Sequence, residues 1–128
     1  MKYLLDTHTA LWIAESSERL SPRVRALARS QDAEDFGLAA ISLLEIARKA
    51  SDREISLSPT PSDWLDDFAH RFQVLPLTQQ IAWRSVELDW AHKDPADRMI
   101  VATALEHELT LITHDREISR WGGVPVFW

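Results

Sequence analysis

Short apolar runs alternate along this chain with longer stretches whose apolar residues recur at helical spacing. Tyr3-Leu4-Leu5 predicts a first strand over about residues 2–5, and Leu11, Trp12 and Ile13 a short helix over 8–14. Beyond a loop with Pro22, the recurrence of Val24, Leu27 and Ala28 predicts a helix near 22–32. A buried strand near 36–41 runs into a helix at 43–51. Residues 56–61 are turn-rich, with prolines at 59 and 61, and lead into a helix over 61–71. Trp64, Leu65, Phe68 and Phe72 form one stripe there. Val74 and Leu75 make a short strand, followed by a helix near 78–91 with Ala82, Val86 and Trp90 in line. The pattern closes with a helix over 95–108, strands at 110–113 and 124–127, and a short helix near 116–121 between them. Strand–helix alternation of this kind predicts βαβ units and a mainly parallel sheet.

The chain has 128 residues, 45% of them apolar, which predicts a single domain over 1–128 with a true core. It holds no cysteine, so disulfides, zinc–thiolate sites and a cysteine nucleophile are excluded. That fits a reducing cytoplasm. The start reaches Asp6 too soon for a signal peptide, and no apolar run is long enough for a membrane span. A formal net charge of −6 argues against a protein that coats nucleic acid through a broad basic surface. Basic residues do cluster, at Arg19, Arg23, Arg25 and Arg29 and at Arg48, Lys49 and Arg53, and read as solvated helix faces. Three glycines leave no phosphate-cradling GxxxxGK[ST] loop.

The candidate chemistry lies in four acids. Asp6 ends the first apolar run, Glu45 lies just inside a helix, Asp97 opens a helix, and Asp115 follows Leu109–Thr113. A parallel α/β sheet gathers functional groups outside the carboxyl ends of its strands. Anions crowded there repel one another unless a hard divalent cation such as Mg²⁺ or Mn²⁺ joins them. Each acid also has a structural role open to it. Asp94-Pro95-Ala96-Asp97 is a helix start, with Asp94 as cap and proline in the first turn. Ser42-Leu43-Leu44-Glu45 matches the S-x-x-E capping box. Asp6 and Asp115 suit turns. Thr7 and Thr113 flank the acids as helix caps or as groups that orient water or phosphate. His8, His92 and His114 lie nearby without the HExxH spacing of a zinc site, so oxygen ligation is favoured. Arg98 reads as the partner of an acid.

These residues, taken in order, resemble the PIN-domain family, specifically the VapC-type toxins of bacterial toxin–antitoxin pairs. The resemblance rests on Leu5-Asp6-Thr7-His8 with Leu11-Trp12, on Ile41-Ser42-Leu43-Leu44-Glu45-Ile46 with Lys49, and on His92 through Arg98. It extends through Leu111-Ile112-Thr113-His114-Asp115 to Val124-Pro125-Val126-Phe127-Trp128. Leu44 and Ala96 depart from the family pattern, at packing positions. The resemblance implies a three-layer α/β/α domain with a central sheet of four to five strands. It implies an RNA endonuclease whose Asp6, Glu45, Asp97 and Asp115 bind Mg²⁺ or Mn²⁺, with Asp94 a helix-start acid. It also implies a homodimer and a cognate antitoxin whose C-terminal segment covers the active site, the stripe from Trp64 to Phe72 being a candidate part of its groove. Two rivals are a non-catalytic PIN-like interaction module and a haloacid-dehalogenase-like phosphatase. The phosphatase needs a second aspartate two residues after the first, where this chain has His8.

Overall fold

The computed structural model describes all 128 residues. Strand β1 (Tyr3–Leu5) is flanked by β2 (Phe36–Ala39) and β4 (Thr110–Ile112), with β3 (Gln73–Leu75) and β5 (Val126–Phe127) at the edges. The order is β3-β2-β1-β4-β5, and every pairing is parallel. The chain builds the sheet in one direction from β1 to β3, then crosses back to place β4 and β5 on the other side. The reversal falls between β1 and β4, which is where doubly wound sheets open a crevice for ligands.

Leu5 is in register with Leu38 on one side and Ile112 on the other. All three belong to the core beneath helices α1 (Thr7–Ala14), α2 (Pro22–Ser30), α3 (Ala40–Ser51) and α4 (Pro61–Arg71). Leu4 and Leu111 are likewise in register and face the opposite core, with Ile100 and Val101 of α6 (Pro95–Glu106) and Ile118 of α7 (Arg116–Trp121). Side chains alternate across a strand, so two buried faces make the sheet the middle layer of three.

Several boundaries differ from the sequence reading. Strand β2 stops at Ala39, and α3 begins at Ala40 rather than 43, with no side-chain cap. Ser42 and Glu45 therefore lie within the helix, and the capping-box reading of this pair is wrong. Helix α5 (Gln79–Glu87) ends four residues before the expected 91. The cause is Arg98. Its guanidinium donates to the carbonyls of Ser85, Val86, Leu88, Trp90 and His92 at 2.7–3.3 Å. Those carbonyls turn inward around one cation instead of continuing a helical ladder. The expected Arg98–acid pair does not form. Trp90, freed from the helix, stacks on Trp121 with ring centres 4.9 Å apart.

On α4, Phe68 and Phe72 are buried core residues, and Trp64 and Leu65 pack half-buried against the same core. Trp64 and Phe68 also line a surface pocket of about 190 Å³ with Ala14, Asp67 and Arg71. No helix is long and apolar enough to cross a membrane.

Candidate active site

Asp6 leaves β1 and caps α1 with only 8% of its surface exposed. Its Oδ1 accepts from the Thr7 amide at 2.8 Å, and its Oδ2 from the Thr113 hydroxyl at 2.7 Å. Thr113 is the first residue beyond β4, so this bond ties the two central strands together at the sheet reversal. The same hydroxyl accepts from the Asp115 amide at 3.0 Å. Asp115 in turn caps α7, its Oδ1 accepting from the Glu117 amide at 2.8 Å. Asp6, Thr113 and Asp115 thus form one hydrogen-bonded unit.

Glu45 reaches this region from the second turn of α3. Thr7 Oγ1 lies 2.6 Å from Glu45 Oε1 and 2.8 Å from Ser42 Oγ. A hydroxyl carries one proton, so Thr7 gives it to the carboxylate and accepts from Ser42. Ser42 is fully buried, and its contact with Thr7 is one that its apparent capping role concealed. Its real partner is 35 positions away.

Asp97 stands in the first turn of α6. Asp94 caps that helix as expected, its Oδ1 accepting from the amides of Ala96 at 2.9 Å and Asp97 at 3.3 Å. His92 Nε2 lies 2.7 Å from Asp97 Oδ2. One group of ligand-type side chains, His92, Asp94 and Asp97, has its atoms within 4.8 Å of one another. The sequence reading set His92 aside, and the structure puts it against the acid.

Electrostatics links all four acids. Burial pushes the Asp97 carboxyl up to about 6, opposed by the His92 hydrogen bond and reinforced by repulsion from Asp94, Asp6 and Asp115. Burial also raises Asp6, against the Thr113 and Thr7 hydrogen bonds, and nearby Asp115 adds to the rise. Glu45 is raised by burial, with Thr7 opposing and Asp6 and Asp94 adding repulsion. His92 moves upward through its hydrogen bond to Asp97. Fixed oxygens with unneutralised mutual repulsion are of the kind that a hard divalent cation accepts as ligands. The hydrogen bonds to Asp6 use one acceptor site on each oxygen, and each carboxylate oxygen has two, so ligating capacity remains.

A central parallel sheet with a carboxylate cluster at its reversal defines a class, the α/β nucleases with acidic sites. The PIN domain family matches residues 3–124, and the chain belongs to that family. It is 36% identical over 116 residues to Ribonuclease VapC22 of Mycobacterium tuberculosis, covering 90% of this chain and 88% of that one. The solved FitAcB of Neisseria gonorrhoeae superposes with a TM-score of 0.73 at 25% identity, covering 98% of this chain and 96% of that one. The DNA-bound VapBC of Salmonella typhimurium superposes with a TM-score of 0.75, over 99% of this chain and 97% of that one. At 22% identity that likeness speaks for the fold.

Proposed function

We propose that this protein is a metal-dependent endoribonuclease, the toxin of a toxin–antitoxin pair, hydrolysing RNA phosphodiester bonds until a cognate antitoxin binds. The observation that carries the reading is Asp6, buried at the sheet reversal with both oxygens held by hydrogen bonds and its pKa raised by burial, with Asp115 close enough to add to the rise. A carboxylate with a purely structural role has no use for added repulsion.

Asp6, Asp97 and Asp115 hold Mg²⁺ or Mn²⁺, and Glu45 completes the set. When bound, a divalent cation supplies Lewis-acid chemistry and neutralises charge at a phosphodiester. The remaining work falls to the protein. Thr113 and the Thr7 amide fix the rotamer of Asp6. The Ser42–Thr7 pair holds Glu45 toward the same region. His92, hydrogen-bonded to Asp97 Oδ2, restrains the orientation of that carboxylate. We assign the protein to the cytoplasm, as a homodimer in its free form.

The test is incubation of purified protein with cellular RNA and Mg²⁺ or Mn²⁺, beside a chelated control and the Asp97→Asn variant. Discrete RNA fragments that require both the cation and Asp97 support the reading. Cleavage that survives in Asp97→Asn overturns the assignment of that residue.

A further inference from the structure

Beside Asp6 and Asp115 the surface opens into a groove of about 310 Å³, and its far wall is unlike the acidic end. That wall carries Trp12, His8, His114 and Arg19. The aromatic rings are arranged around one another. Trp12 meets Trp128 edge-on at 5.9 Å, Trp128 faces His114 at 5.0 Å, and His8 lies 5.9 Å from Trp12. The Arg19 guanidinium sits 5.8 Å above the Trp12 ring. Trp12 and Trp128 pack against the core and stay half-exposed, while His8, His114 and Arg19 are exposed.

This wall is built rather than incidental. Arg23 donates to the Trp128 carbonyl at 3.1 Å and lies 4.5 Å over Phe127, which secures the segment that presents Trp128. Arg19, by contrast, makes no ion pair with any acid. A free guanidinium over an indole at the mouth of an acidic site offers a cation and a π-face together. Single-stranded nucleic acid is bound by that combination, with bases stacking on aromatic rings and cations meeting the backbone.

We infer that this wall is a nucleotide subsite. An unpaired base adjacent to the scissile phosphate stacks on Trp12, with Trp128 and His114 bounding it, and Arg19 meets a flanking phosphate. The inference rests on the ribonuclease reading and adds to it the place where a nucleotide flanking the scissile phosphate lies and the side chains that hold it. It also answers how a chain of net charge −6 holds a polyanion. Stacking does not depend on net charge, and Arg19 places one cation beside the stacking surface.

The experiment uses the Asp97→Asn protein, which binds without cutting. Affinity is measured by fluorescence anisotropy for a short labelled single-stranded RNA and for an abasic ribose-phosphate oligomer of the same length. Trp12→Leu, introduced into that background, keeps apolar bulk against the core. It is expected to weaken RNA binding roughly 5- to 150-fold, the span of one lost stacking contact, and to leave the abasic oligomer unaffected. Arg19→Gln weakens both ligands and lowers the salt slope by about 0.7, the loss of one phosphate contact. If Trp12→Leu alters the circular dichroism, His114→Ala at its exposed position replaces it, with the same preference for base-bearing RNA at stake. Unchanged RNA affinity in a folded variant overturns the subsite and leaves the nuclease reading intact. Failure of the unsubstituted protein to bind or cut any RNA overturns both.

Discussion

Thr113 donates its hydroxyl proton to Asp6 across 2.7 Å, and this bond spans 107 positions of sequence. It lies at the one place where the parallel sheet reverses its direction of construction. Replacing Thr113 by Val keeps the shape and removes the donor, which leaves Oδ2 of a buried carboxylate short of a partner. The expected result is a stability loss of about 1–3 kcal/mol in urea denaturation. Mn²⁺ affinity should fall about 10- to 100-fold in titration, as for other lost outer-shell partners.

Asp97→Asn separates catalytic from structural roles. The amide removes a charge from a repelling group while Asp94 still caps α6. Cleavage should vanish, and the thermal midpoint of the metal-free protein should hold or rise. A midpoint lowered by several degrees would show that the ionised Asp97–His92 pair stabilises the fold.

Asp97 also sets a pH dependence of unusual sign. Its folded pKa is about 6, against a reference of 3.8. Between those values the folded state binds more protons than the unfolded one, so this group's contribution to stability falls as pH rises from about 4 to 6. Most folded-state carboxylates are depressed and act the other way. The prediction concerns the difference between the native chain and Asp97→Asn in their thermal midpoints from pH 4 to 7.5. The native chain should lose ground relative to the variant from about pH 4 to 6 as Asp97 ionises, and lose further ground above 6.5, where His92, raised by its bond to Asp97, gives up its proton. Saturating Mn²⁺ should reverse the trend, because protons and the cation compete for the same oxygens.

Arg98 gathers five backbone carbonyls from α5 and the following loop. Lysine has three donors at a single point and cannot reproduce a planar fork. Arg98→Lys should therefore cost nearly as much as Arg98→Met, on the order of 2 kcal/mol for several half-buried charge-assisted bonds. Equal urea midpoints for Arg98→Lys and the native chain would show that the fork geometry is dispensable.

The limits of the sequence reading follow from what kind of partner each residue has. The strands and the stretch from Asp94 to Asp97 were legible because capping, proline placement and apolar periodicity act over a few residues. Asp6 alone reads equally well as a turn former; it is legible as a candidate only beside the other strand-end and helix-start acids. Ser42 was misread because its spacing to Glu45 imitates a local motif, while its partner Thr7 comes from another helix. Arg98 was misread for a deeper reason. Its partners are carbonyls, which every residue carries, so no side-chain pattern announces them. The early end of α5 was hidden by the same cause. The four acids were identified as a set, yet the closeness of His92 to Asp97 depends on a loop whose path Arg98 determines.

The order of strands in the sheet has a consequence for synthesis. Strand β1 is made first and lies in the middle, paired to β2 on one side and β4 on the other. A growing chain that has not yet reached β4 has neither that second flank, nor Thr113 to hold Asp6, nor Asp115. On the proposed reading, the activity is withheld from the nascent chain until β4 and the residues that follow it have been made and have paired with β1.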